Sequence, residues 1–186
     1  KTQYLSIKKD IDREVLQTLK SSNYSLGPKV ELFEDNFKKY CNSKYAIGVN
    51  SGTSALHLAL DALDIGKGDE VITTPYTFYA TIGAIVTAGA KPVFVDVDID
   101  YNINPLELEK KITKKTKAIL PVHWSGRVCE MDKIKKISNK YKIPIVEDSC
   151  HAILAKYKNK IAGNFGDFGC FSLHPLKNLN VWGDGG

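Results

Sequence analysis

Lys117-Ala118-Ile119-Leu120-Pro121-Val122, past the middle of the chain, is continuously apolar after its lysine. A strand buried on both faces reads this way, because helices cover each side of a parallel sheet. Its surroundings repeat the theme. Upstream lie the strand candidates Tyr45–Val49, Glu70–Thr74 and Pro92–Val97, and downstream Ile143–Glu147 and Gly169–Leu173. Helical spacing fills the intervals. Thr53–Leu63 is rich in alanine and leucine, Tyr79–Ala88 reads as a buried helix, and Pro105–Lys111 and Met131–Tyr141 complete the alternation. Two amphipathic helices precede it, Leu5–Leu19 and a second carrying Val30, Phe33, Phe37 and Tyr40, separated by the turn string Asn23–Pro28. Strands alternating with helices predict an α/β fold of three αβα layers around a mostly parallel sheet. No linker, repeat or low-complexity tract divides the chain.

Composition narrows the function. With 43% hydrophobic and 25% charged residues, the 186-residue chain is too apolar for a disordered one and long enough to bury a core. The net charge of +5 rests on 26 basic residues, of which all but Arg13 and Arg127 are lysine. Nucleic-acid readers lean on arginine forks and clustered basic faces. Here pairs such as Lys8-Lys9, Lys38-Lys39 and Lys135-Lys136 are scattered, as on solvated helix faces, so no nucleic-acid partner is expected. The longest nearly apolar stretch, Ala80–Ala90, is too short for a membrane span of about 20 residues. Cys41, Cys129, Cys150 and Cys170 form neither a disulfide framework nor a metal-ligand spacing, so no metal is expected and a reducing cytoplasm is the simplest address. The chain starts without methionine and stops in Gly183-Asp184-Gly185-Gly186, which reads as a piece of something longer.

In such sheets ligands sit beyond the carboxyl ends of the strands. Four places qualify. Asn50-Ser51-Gly52-Thr53-Ser54 leads a strand into a helix, and its free N–H groups either receive a phosphate or form an ordinary helix cap. No dinucleotide or P-loop glycine pattern occurs. Glu147-Asp148-Ser149-Cys150-His151 sets an acid that can hold a cationic ring nitrogen, or cap a helix, three residues before a histidine. In Ser172-Leu173-His174-Pro175-Leu176-Lys177, Lys177 has apolar neighbours and no acid nearby in sequence. A partly desolvated lysine can form a Schiff base, whereas most lysines are simply surface residues. His174 reads slightly better as a core histidine than as a site residue. Thr77-Phe78-Tyr79-Ala80-Thr81 offers an aromatic to stack on a flat cofactor or to fill the core. Together the four supply what pyridoxal 5′-phosphate needs: a phosphate nest, a stacking ring, an acid and a lysine.

The strings NSGTSALHLAL, GDEVITTPYTFYAT, GAKPVFVDVD, IPIVEDSCHA and FSLHPLKNL, spread in order over nearly the whole chain, resemble the DegT/DnrJ/EryC1/StrS aminotransferases. The resemblance implies the large domain of the fold type I pyridoxal-phosphate enzymes. Residues 1–186 would form its N-terminal part, with the small C-terminal domain outside this chain. It also implies that Lys177 carries the cofactor, Asp148 pairs with its ring nitrogen and His151 stands beside its phenolic oxygen. Ser172, Gly52 and Thr53 would receive the phosphate, and Phe78 would cover the ring. The implied activity is amine transfer, from glutamate, to a nucleotide-linked keto sugar in amino-sugar or polysaccharide biosynthesis, by a homodimer that needs no membrane. Gly183-Asp184 in place of the family's Gly-Glu, Trp124 in place of Leu and Arg127 in place of Gln blur the substrate. A branch that carries histidine in place of the lysine is a deoxygenase, and Lys177 argues against it. A lyase or dehydratase, a cofactor-binding regulator without turnover, and a non-catalytic interaction domain remain as alternatives.

Overall fold

The computed structural model describes residues 2–186. Two helices come first, α1 (Thr2–Ser21) and α2 (Pro28–Cys41). Pro28 sets the first turn of α2, behind Gly27 at φ 86°, and Asn42 ends it in the left-handed conformation. Then follow α3 (Gly52–Asp61), β1 (Glu70–Thr73), α4 (Tyr79–Thr87), β2 (Lys91–Phe94), α5 (Pro105–Leu108), β3 (Thr116–Ile119), α6 (Met131–Tyr141) and β4 (Val146–Asp148). A small hairpin, β5 (Lys156–Tyr157) and β6 (Lys160–Ile161), precedes β7 (Phe168–Cys170).

β1 pairs in parallel with β2 on one side and β3 on the other. Parallel bridges Ile119–Ile145 and Val122–Asp148 continue the sheet from β3 to β4, and β4 pairs in parallel with β7. The order is therefore β2-β1-β3-β4-β7. The chain reverses its direction of growth between β1 and β3, the switch point beyond whose strand ends ligands sit in sheets of this kind.

Side-chain alternation divides the core in two. Val71, Leu120 and Val146 face α3 and α4, where they meet Leu56, Leu60 and Ile85. Their strand neighbours Ile72, Ile119 and Ile145 face the other way, against Met131 and Ile134 of α6. These residues are 0% exposed, and each fully buried aliphatic side chain contributes about 1.5–3 kcal/mol. The fold is the expected three-layer α/β sandwich.

Two expectations change, and one element is added. Tyr45–Val49 is not a strand. Among the described residues only Val49 pairs with another backbone, exchanging two 2.9 Å hydrogen bonds with Gly186, while Gly48 N–H donates to the Glu34 carboxylate and Tyr45 and Ile47 stay 70% and 78% exposed. An apolar run becomes a strand only when another backbone meets its N–H and C=O groups. The space between this segment and the free edge of β7 is a cavity of about 520 Å³, lined by Phe33, Phe37, Ile47, Phe168 and Phe171 among others. The helix expected over Pro105–Lys111 is α-helical only to Leu108 and tightens into a 3₁₀ turn at Glu109–Lys111. The β5–β6 hairpin adds two strands to those read from the sequence. Lys158 and Asn159 turn it with φ of 47° and 65°, a conformation usually signalled by glycine, which is absent here.

Candidate active site

Neighbouring residues on β4 point to opposite faces, which gives Glu147 and Asp148 different tasks. Glu147 turns toward the α6 side, fully buried. Its Oε1 accepts from the N–H groups of Phe165 and Gly166, both at 2.6 Å, and its Oε2 from Gly163 N–H at 2.9 Å. His123 Nδ1 accepts from Cys129 N–H at 3.2 Å, so its proton sits on Nε2 and is donated to Glu147 Oε2 over 2.8 Å. Four donors thus converge on one carboxylate and tie the 163–166 loop beneath the site. Glu147→Gln would turn an NH₂ group against two of those donors. A loss of about 1–3 kcal/mol is expected in urea unfolding at neutral pH; a loss under about 0.5 kcal/mol would mean the loop holds without the carboxylate.

Asp148 turns toward α4 and is 5% exposed. Its Oδ2 accepts from the Thr81 hydroxyl at 2.7 Å and its Oδ1 from Cys150 N–H at 3.2 Å. Thr81 lies in the first turn of α4. Phe78 caps that helix, and its carbonyl accepts from Thr81 N–H at 3.1 Å. Phe78 is 53% exposed, with its ring 4.4 Å from that of Tyr79, so it is not a core residue.

The glycine at the start of α3 allows a close approach. A Cβ on Gly52 would lie 2.7 Å from Cys150 Sγ and 2.8 Å from Ser172 Cβ, tighter than side chains tolerate. Its absence lets the helix N-terminus press against the ends of β4 and β7. Ser51 caps α3 by accepting from Ser54 N–H at 3.1 Å, and exposed Thr53 occupies the first turn. First-turn N–H groups have no partner within the helix, and the helix dipole makes that end attractive to an anion.

Lys177 ends the turn that begins at His174, its N–H donating to His174 C=O at 2.8 Å. Half-buried Lys177 shares a cavity of about 550 Å³ with Gly126, Cys150, His151, Leu154 and Asn178. Burial first, and then the Lys177 ammonium, hold the His151 imidazole below its ordinary range, with Asp148 opposing them. The ring is therefore neutral at pH 7 and free to donate or accept a hydrogen bond. His151 packs 5.2 Å from Trp124, which meets Tyr76 edge-on at 5.0 Å. His174 departs from expectation: it is exposed, and its Nδ1 accepts from Leu176 N–H at 3.2 Å.

Among the described residues, no group of three or more His, Cys, Asp or Glu side chains is arranged to hold a metal ion. The structure instead gathers Gly52 with Ser172, and Asp148 with His151 and Lys177, around the ends of β4 and β7. Phe78 is linked to Asp148 through the first turn of α4. The DegT/DnrJ/EryC1/StrS aminotransferase family model matches residues 5–186. The chain belongs to that family.

It is 47% identical over 179 residues to the dTDP-3-amino-3,6-dideoxy-alpha-D-galactopyranose transaminase of Aneurinibacillus thermoaerophilus, covering 96% of this chain and 49% of the relative. A DegT DnrJ EryC1 StrS aminotransferase from Brucella abortus superposes with a TM-score of 0.95 at 34% identity, over 99% of this chain and 52% of that one. The NtdA protein of Bacillus subtilis, solved with bound PMP, does so with 0.90 at 35% identity, over 95% and 40%. The fold is that of the fold type I aminotransferases. The chain spans about half the length of the curated relatives it matches.

Thr81, Thr77 and the His123–Glu147 pair escape a reading of motifs. The available signal for Thr81 is a hydroxyl in the first turn of a mostly apolar helix, where a buried polar side chain needs a partner.

Proposed function

We propose that the whole protein transfers an amino group from glutamate to a nucleotide-linked keto sugar, with pyridoxal 5′-phosphate held by this chain. The observation that carries the reading is the meeting of a buried acid, a half-buried lysine and a helix N-terminus at the carboxyl end of one sheet. The donor set fits the cofactor. Asp148 is the acceptor a protonated ring nitrogen requires, and the side-chain-free approach at Gly52 puts first-turn N–H groups beside Ser172, as a phosphate requires. The exposed ring of Phe78 lies one helical turn from Thr81, suited to covering a flat heterocycle. Neutral His151 is suited to a phenolic oxygen.

When bound, pyridoxal phosphate supplies an electron sink conjugated to the substrate nitrogen. The protein does the rest. Lys177 would hold the cofactor covalently and, once freed, would take the proton from the donor's amine-bearing carbon as general base. Asp148 keeps positive charge on the ring nitrogen. The first turn of α3 and Ser172 would receive the phosphate and so hold the group for Lys177 to act on.

The named transferase among the relatives supports a nucleotide-sugar acceptor. The remaining parts of the reading are a small C-terminal domain that closes the site, a homodimer and a cytoplasmic address. No helix among the described residues is long and apolar enough to cross a membrane. The test is to load the whole protein with pyridoxal phosphate and supply glutamate. 2-Oxoglutarate is then followed with and without a panel of dTDP-, UDP- and GDP-linked keto sugars. Catalytic 2-oxoglutarate that depends on one of the sugars is expected. One equivalent at most, whatever the sugar, would move the reading to a regulator; consumption of sugar without amine transfer would move it to a lyase.

A further inference from the structure

Asp148 is held by more than its own strand. Thr81 is completely buried, and its hydroxyl lies 2.7 Å from Asp148 Oδ2 and 2.7 Å from Thr77 Oγ1. An ionised carboxylate only accepts, so the Thr81 proton goes to Asp148. Thr81 Oγ1 must then accept from Thr77. The direction of the chain is set: Thr77 donates to Thr81, and Thr81 donates to Asp148. On the opposite side, Cys150 N–H donates to Oδ1 at 3.2 Å. One donor on each oxygen fixes the plane of the carboxylate and leaves each oxygen a further lone pair. Neither threonine carries a charge, so the pair orients the acid without neutralising it, as a lysine or arginine at that place would.

The two threonines are one helical turn apart around the start of α4, and Phe78 lies between them. The element that pins the carboxylate is thus also the one that presents the exposed ring. We propose that Thr81, oriented by Thr77, is a positioning residue that aims Asp148 at the ring nitrogen of the cofactor and locks it to the segment carrying Phe78. The inference rests on the functional reading above. It adds two residues to the site through a hydrogen-bond relay.

The probe is pyridoxal phosphate labelled with ¹⁵N in the ring, bound to the whole protein, whose nitrogen chemical shift reports the proton on that atom directly. Asp148→Asn is expected to move the resonance toward that of a neutral pyridine. Thr81→Val, close in shape but without the hydroxyl, is expected to move it part of the way and to slow the glutamate half-reaction about tenfold at saturating glutamate. Thr81→Ser should restore both. Thr77→Val, which leaves both Asp148 contacts in place, should produce a smaller movement in the same direction. In an Asp148→Asn background, Thr81→Val should slow the half-reaction less than twofold further, because its effect runs through the acid. If Asp148→Asn moves the resonance and neither Thr81→Val nor Thr77→Val does, the relay is a structural hydrogen bond only and the inference falls alone. If Asp148→Asn leaves the resonance in place, or the unsubstituted protein takes up no cofactor, the functional reading falls and the inference with it.

Discussion

Replacing Lys177 by alanine is expected to slow the glutamate half-reaction of the whole protein by about 10³–10⁴-fold, the upper part of the range for a positioned acid–base group. Two roles are lost at once, the covalent hold on the cofactor and the base over the amine-bearing carbon. No neighbour takes over. Cys150 lines the same cavity, but burial and the nearby Asp148 push its thiol well above the ordinary range, so it stays protonated. His151 is a neutral base nearby, but burial, the largest influence on it and one that persists without Lys177, holds its affinity for protons low. The cofactor should still bind through the α3 N-terminus and Ser172, so its content falls much less than the rate. Borohydride treatment of the unsubstituted protein followed by peptide mapping checks the assignment separately. The pyridoxyl group should appear on Lys177 and vanish in Lys177→Ala. An adduct on another of the many lysines, or a rate within tenfold of the unsubstituted protein, would remove Lys177 from the centre of the site.

What sequence could reveal here follows from how local each cause is. The parallel strands were legible because burial on both faces writes itself into consecutive residues, as in Ala118–Val122. Tyr45–Val49 has the same apolar character, yet stays unpaired except at Val49, because pairing depends on a partner that no local pattern describes. The β5–β6 hairpin stayed hidden because Lys158-Asn159 adopts the left-handed turn without the glycine that advertises it. Among the chemical groups, Asp148 and Ser172 stood out by standing just after strands. Lys177 could be chosen from so many lysines only through its spacing from Ser172 and the family likeness. Phe78 reads from the residues alone as the commoner core aromatic or as a stacking ring, and the fold leaves it on the surface. Thr81 was illegible for a different reason. Its partner is 67 residues away, and only the stacking of α4 over β4 makes them neighbours.

Asp148→Asn tests the other half of the site, with an expected fall of about 10²–10³-fold in the half-reaction, the scale found for losing one preorganised electrostatic partner. The direction follows from the donors already present. Cys150 N–H is fixed backbone and can only donate, so the amide must turn its oxygen toward it. Its NH₂ then faces Thr81, whose hydroxyl can rotate and accept. The side chain therefore fits with little strain, and the fold should survive. What changes is the face offered to the ring nitrogen, which now meets a neutral amide and has no anion to hold its proton. The phosphate contacts at Gly52, Thr53 and Ser172 do not involve Asp148, so cofactor content should drop less than threefold while the rate collapses. Stopped-flow absorbance of the glutamate half-reaction, set beside cofactor released on denaturation, separates the two quantities. A rate within threefold of the unsubstituted protein, about 0.65 kcal/mol of barrier, would leave Asp148 as a buried carboxylate that merely joins α4 to β4. A parallel loss of rate and cofactor would assign it to binding instead of to the electron sink.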